Sequence, residues 1–365
     1  MKAQVPVKYR SHISEVWRTR PDGQTRLDKL RLDKNERISA FPPGFWESAL
    51  KKISESLVQS YPEVYPLYKK LADFHGLTME HFLLTAGSDA AIRHCFEAFV
   101  NPGDKVIYLE PTFAMVSVYG GLFGAEMIPM RYDAKLQIDF DLLLRSIDDG
   151  TALIIIANPN SPTGTYMSND RLNEIAHRAA GYRIPVLVDE AYYGFCPKTA
   201  LDILAQHENM VITRTFSKIS GLAGLRIGYA MGHPGIISLL TKFRPMYEVN
   251  SPAVLMACEI LDHWDIAADY GRRTIAGREK FIRFLRERGF TAIDTEANFL
   301  HVDLGRLKEP ILVAMVEAGI LVRGMLSIEG LGNYTRFSVG PWETMSRAAD
   351  IIDEQVRLAG EPVCR

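Results

Sequence analysis

In the stretch TRTFSKISGLAGLRIGYA (213–230), Lys218 follows the hydroxyls of Thr215 and Ser217, and Arg226 stands eight positions further on, beyond a glycine-rich turn. A lysine amine attacks carbonyls when an enclosed site lowers its pKa, or when an aldehyde captures it as a Schiff base. Arg226 and the two hydroxyls offer donors suited to a phosphate. An amine for an aldehyde beside a grip for a phosphate is the combination that pyridoxal phosphate demands.

That cofactor also needs an anion at its ring nitrogen, because a protonated pyridinium is the better electron sink. VLVDEAYYGF supplies one: Asp189 ends an apolar run, and Tyr192, three residues on, can donate to the ring's phenolate oxygen. ANPNSPTG adds the amide of Asn160 and a rigid Pro-Thr-Gly turn. TAGSDAAI opens a helix directly after a strand, so the backbone amides around Ser88 and Asp89 form a cradle for phosphate at the helix's positive end. EPTFAMV sets Phe113 where an aromatic ring can stack on the pyridine. Singly, each motif reads as a glycine turn, a surface carboxylate or a core aromatic. Together they supply every group that one cofactor requires.

The elements that must position these residues show a regular beat. From residue 81, short apolar runs alternate with helical stretches: HFLLTA, KVIYLE, AEMIPM, ALIIIAN, IPVLVDEA, MVITRT and RIGYAMG. This rhythm predicts an α/β fold with a mostly parallel seven-stranded sheet covered by helices on both faces. Ligands of such sheets gather at the carboxyl ends of strands, where most of the motifs fall. Beyond residue 250 the beat slows into long helical stretches followed by two or three strands, which predicts a smaller α+β domain. The expected division is an N-terminal arm over 1–40 joining the small domain, a large cofactor-binding domain over 41–250, and a small domain over 251–365.

Composition narrows the partners. In 365 residues, 47% hydrophobic and 24% charged, the balance is that of a globular protein with a sizeable core. The net charge of −2 gives no global attraction to nucleic acid or to an anionic membrane, so small molecules and protein chains are the expected partners. Cys95, Cys196, Cys258 and Cys364 form no metal-ligand or disulfide pattern and read as reduced thiols. The chain's first residues carry no apolar leader, and its longest apolar runs are too short to span a bilayer, so the cytoplasm is the expected location. Arg272, Arg273, Arg278, Lys280, Arg283, Arg286 and Arg288 recur in one helical stretch and read as a solvated face.

The motifs LDKNE (32–36), YPEVYPLY (61–68), TAGSDAAI, EPTFAMV, NPNSPTG (158–164), VDEAYYGF (188–195), FSKISGLAGLRIGY (216–229), GILVRGM (319–325) and TRFSVG (335–340) stand in one order along the chain. In these the sequence resembles class I/II pyridoxal phosphate aminotransferases of fold type I, and is most similar to histidinol-phosphate aminotransferases. The resemblance implies that Lys218 is the Schiff-base lysine and proton shuttle, and that Asp189 pairs with the pyridine nitrogen and Tyr192 with the phenolate oxygen. It assigns Gly87, Ser88, Asp89, Ser217 and Arg226 to the phosphate. Tyr61 would reach the cofactor of a neighbouring subunit, which implies a homodimer with shared sites. Arg336 would clamp the substrate α-carboxylate, with Asn35 near the same end, and Arg323 would meet the substrate's distal group.

Three departures from that pattern stand out. Ser161 occupies the place before Pro-Thr-Gly where the family usually has asparagine, so either Asn160 or Ser161 makes that cofactor contact, Asn160 being preferred. Phe113 stands where tyrosine is frequent. The arginine-rich first 30 residues differ from the family's usual start, and a position over the substrate mouth is the expectation for them. The implied reaction moves an amino group between an amino acid, glutamate by resemblance, and a keto acid or keto phosphate. Two alternatives are decarboxylation of a phosphorylated amino acid, as in the related threonine-phosphate decarboxylases, and a non-catalytic binding subunit.

Overall fold

The computed structural model describes residues 7–18, 25–324 and 331–360. Cys364 and Met325 lie outside them. After β1 (Leu30–Leu32), seven strands follow where the alternation predicts them: β2 (Phe82–Thr85), β3 (Lys105–Glu110), β4 (Glu126–Arg131), β5 (Thr151–Ala157), β6 (Val186–Asp189), β7 (Met210–Thr215) and β8 (Gly228–Gly232). They form one sheet in the order β2-β8-β7-β6-β5-β3-β4. Only β8 runs against its neighbours β2 and β7; the remaining pairings are parallel. Such strands need apolar side chains on both faces, and β5 and β6 are buried almost end to end. Pro129 sits in β4, the edge strand, where a missing backbone N–H is tolerated.

A second sheet takes the order β1-β11-β12-β10-β9, with β9 (Thr291–Ile293), β10 (Phe299–Asp303), β11 (Ile320–Gly324) and β12 (Thr335–Ser338). Helix Trp342–Leu358 covers it with an apolar face of Met345, Ala348, Ala349 and Ile352. The 24-residue helix Trp264–Glu287 spans about 36 Å. It lends Ala267 and Tyr270 to the core of the first sheet, and Phe281, Ile282 and Leu285 to that of the second. The arginine run on this helix is not wholly a solvated face. Arg278 is buried and donates to the Ala297 carbonyl at 2.8 Å, tying the helix to the segment that enters β10. Among the described residues, no helix is long and apolar enough to cross a membrane.

Register sets the geometry of the strand ends. Ala157, Asp189 and Thr213 lie side by side on β5, β6 and β7, so the loops after these strands open at one level. On the other side of β7, Thr215 pairs with Gly228, which in turn pairs with Thr85 of β2. The turn before helix Ser88–Phe99 is thereby set against the loop that carries Ser217 and Lys218. A Cβ at Gly228 would come within 2.8 Å of the Gly87 and Ser88 backbone, so only glycine lets the two loops lie this close.

Candidate active site

These strand ends enclose a cavity of about 180 Å³ lined by Ser88, Asp89, Phe113, Asp189, Tyr192, Ser217, Lys218 and Arg226, with Ser161 at its edge. The residues arrive from five separate loops. Lys218 donates from Nζ to the Lys34 carbonyl at 3.1 Å and lies 5.7 Å from the Tyr192 ring centroid.

One end of the cavity is built for an anion. Helix Ser88–Phe99 points its amino terminus there, with Gly87 at φ +85° before the first turn. Arg226 holds the left-handed conformation at φ 52°, unfavourable for a side chain of its size, and this aims its guanidinium back at the helix start. Its Nη1 donates to Ser217 Oγ at 3.2 Å and its Nη2 to the Ala86 carbonyl at 3.4 Å. Thr215 Oγ1 donates to Ser217 Oγ at 2.9 Å, holding that hydroxyl in the cradle. A Cβ on Gly87 would stand 2.7 Å from Arg226 Nη2, so the glycine keeps the guanidinium in place.

The opposite end is built for a cation. Asp189 is buried, and Thr213 Oγ1 donates to its carboxylate at 2.9 Å. Burial pushes its pKa up to about 6, against the pull of that hydrogen bond. A carboxylate desolvated in this way is relieved by a positive partner. Tyr192 OH accepts from Asn35 Nδ2 at 2.9 Å, which leaves the phenolic proton free to be donated into the cavity. Lysine, buried carboxylate, phenol and anion cradle, spread over the ends of one α/β sheet, are the groups that fit pyridoxal 5′-phosphate.

Two expected contacts are placed differently. Asn160 is fully buried and its amide is spent on the protein: Oδ1 accepts from Thr112, and Nδ2 donates to Pro111 O and Thr163 Oγ1. It fixes the loop, while Ser161 lines the cavity. Of the two residues named for that contact, Ser161 is the one that lines the cavity, and the amide of Asn160 is taken up within the loop. Asn35, at φ 56° and buried, bonds Tyr192 and Ser338 and lines neither cavity near the site.

Phe113 and Ser161 also line a larger adjoining cavity of about 490 Å³, which Arg18, His301, Arg323 and Arg336 face. Among the described residues, no carboxylate lines it. Arg323 and Arg336 are directly opposed across β11 and β12, an arrangement that costs stability unless an anion lies between like charges. Burial, with Arg323 adding to it, pulls the Arg336 pKa down, which favours an anionic ligand there. Trp17 and Arg18 bring the N-terminal segment to the mouth of this cavity, whereas residues 19–24 are outside the described ones. Tyr61 is absent from both cavities; it is 72% exposed and stacks on Tyr247 with ring centroids 4.0 Å apart.

Sequence reasoning missed two participants. Gly228 shows its role only through the register of β8. His301 stands in NFLHVD on the same strand face as Phe299, and an imidazole among Phe299, Leu300 and Val302 was the available signal.

An α/β sheet with this set of groups at its strand ends belongs to enzymes that work through a phosphate-bearing aldehyde. A model of the family Aminotransferase class I and II matches residues 31–352. The chain belongs to that family and is a pyridoxal 5′-phosphate-dependent aminotransferase. It is 32% identical over 323 residues to the histidinol-phosphate aminotransferase of Thermoanaerobacter pseudethanolicus, covering 86% of this chain and 90% of that one. To the histidinol-phosphate aminotransferase of Methanocaldococcus jannaschii it is 28% identical, covering 97% and 95%. A solved structure of histidinol-phosphate aminotransferase from Sinorhizobium meliloti in complex with pyridoxal-5′-phosphate shares the fold, with a TM-score of 0.80, 24% identity, and coverage of 90% of this chain and 91% of that one. These relatives favour amino transfer over the decarboxylase and non-catalytic alternatives.

Proposed function

We propose that the enzyme moves an amino group between glutamate and a keto acid or keto phosphate whose far end is anionic. The observation that carries this reading is the opposed pair Arg323 and Arg336 in a cavity that no carboxylate lines among the described residues, open to the cavity of Lys218. Pyridoxal 5′-phosphate supplies an aldehyde that takes up the amino group and a ring that draws electrons from the bond being broken.

The chain's own residues do the rest. Ser217, Arg226 and the Gly87 to Asp89 backbone hold the phosphate. Asp189 balances the ring nitrogen's charge, Tyr192 donates to the ring oxygen, Phe113 packs on the ring face, and Ser161 stands at its edge. Arg336 binds the substrate carboxylate end-on and Arg323 the distal anion, which orients Cα towards Lys218. The Lys218 amine takes the proton from Cα as general base and returns it as general acid. The likeness to histidinol-phosphate aminotransferases brings the amine histidinol phosphate and its keto counterpart into this class of substrate, since the phosphate would meet the same arginines.

The deciding experiment converts the holoenzyme to its amine form with glutamate and then screens keto compounds for return of the aldehyde absorbance. Conversion by glutamate, and recovery by 2-oxoglutarate and by imidazole-acetol phosphate, are expected. Recovery only by keto acids whose far end is uncharged would remove the distal anion from the reading.

A homodimer with shared sites also belongs to this proposal. Val58, Tyr61, Tyr65, Met246 and Tyr247 are exposed apolar side chains, and the Tyr61 ring is held out by its stack on Tyr247. Sedimentation should give a dimer, and Tyr61→Phe should weaken cofactor retention without changing the mass. An active monomer would defeat the shared-site role. The cytoplasm is the setting proposed, in keeping with the free, buried thiols of Cys95, Cys196 and Cys258. Recovery of the native enzyme from an extracytoplasmic fraction would contradict it.

A further inference from the structure

Arg336 on β12 faces His301 on β10 directly in the antiparallel register, and both line the larger cavity. They are 8% and 1% exposed. Arg336 Nε and His301 Nδ1 are both buried without a hydrogen-bond partner. Folded proteins pair nearly all such atoms, so two orphans on opposed residues call for a common explanation.

The neighbours settle what each atom can do. His301 Nε2 lies 2.6 Å from the Pro162 carbonyl oxygen. A carbonyl only accepts, so Nε2 carries the proton and donates, and Nδ1 of the neutral ring is an acceptor. Burial pulls the ring's pKa down to about 4, the Arg336 charge acting in the same direction, so the ring is neutral at ordinary pH. Arg336 Nε is a donor, and Nη2 already donates to the Asp33 carbonyl at 2.7 Å. Two other unpaired acceptors stand nearby: Asn298 Oδ1 precedes β10 and lies outside this cross-strand row, and Thr335 Oγ1 belongs to the residue next to Arg336 on β12, whose side chain alternates to the other face of the sheet.

We propose that His301 is a positioning residue for Arg336: when an acid enters the cavity, Arg336 Nε–H donates to His301 Nδ1 and the guanidinium presents its Nη1–Nη2 edge to the carboxylate. The inference rests on the reading of Arg336 as the carboxylate clamp. It accounts for four of the five donors of the guanidinium, with one N–H on His301, one on Asp33 and a parallel pair on the anion. Because His301 is fastened to Pro162, next to Ser161, the clamp is keyed to the loop that borders the cofactor cavity.

The test uses the holoenzyme and three variants. His301→Leu removes both ring nitrogens, His301→Asn keeps a carbonyl oxygen near the place of Nδ1, and His301→Gln keeps only an amide near the place of Nε2. Spectral titration with succinate, a non-reacting dicarboxylate, gives binding directly. The Leu and Gln variants should raise the succinate dissociation constant and the KM for glutamate about tenfold, with kcat and cofactor affinity far less affected, and Asn should recover most of the loss. If Leu fails to fold, the contrast between Asn and Gln decides alone. Equal succinate binding in Asn and Gln, or a loss confined to kcat, overturns the proposal. Should glutamate convert the wild-type holoenzyme while the variants bind succinate normally, the aminotransferase reading stands and the role of His301 falls. Should glutamate fail to convert the wild type, both fall.

Discussion

Lys218→Ala should lower kcat by at least about 10⁴-fold while leaving the fold intact. Two losses combine, since the same amine is the covalent anchor for the aldehyde and the base and acid at Cα; the acid–base role alone is worth about 10²–10⁴. The structural cost is small, because Lys218 is half-buried and its amine makes one hydrogen bond, to the Lys34 carbonyl, worth about 1 kcal/mol. Circular dichroism and thermal melting should therefore show a folded protein near wild-type stability. Borohydride reduction of the wild-type holoenzyme, followed by digestion and mass spectrometry, should tag the peptide holding Lys218, and the variant should give no tag. A tag on another lysine, or turnover in the variant, would contradict the assignment.

Asp189→Asn should lower kcat about 10²–10³-fold, the range for removing one pre-set charge partner from a reacting group. It also predicts a pH signature that needs no turnover. The Asp189 pKa stands at about 6 in the folded chain against an ordinary 3.8, a difference of about 3 kcal/mol between the protonated and charged forms. Between these values the folded cofactor-free protein keeps a proton that the unfolded chain has released. Its stability contribution is therefore fully present below pH 3.8 and is lost as pH rises through 6.

A positive ring nitrogen beside the carboxylate offsets that loss. The rise in Tm on adding pyridoxal 5′-phosphate should accordingly be larger at pH 7 than at pH 5 in the wild type, and this difference should shrink in Asp189→Asn. The cofactor-free variant should also melt above the cofactor-free wild type at pH 7. An unchanged pH dependence in the variant would show that Asp189 is not the group that meets the ring.

Much of this site is legible in the chain because its signals are local. A strand buried on both faces is a run such as LIIIA or VLVD, and the residue that ends the run lies at the sheet's rim whatever the rest of the chain does. Asp189, Lys218 and the turn before Ser88 announce themselves in this way, as does the helix start that cradles an anion. The α/β class and all seven strands of the main sheet follow from the same alternation. Where several rim residues carry complementary chemistry, one ligand accounts for them together.

What tertiary structure decided is which side chains face each other, and which neighbour uses up each polar group. Asn160 and Ser161 are adjacent and both polar, yet Thr112, Pro111 and Thr163 take the amide and leave the serine at the cavity. Asn35 is claimed by Tyr192, in the turn after β6, and by Ser338 on β12, both far away in the chain. The row of Arg323, Arg336 and His301 exists only through the pairing of β10, β11 and β12. Alternation along a strand is a property of the backbone and can be read from one segment, whereas register between segments is chosen by packing across the whole second core.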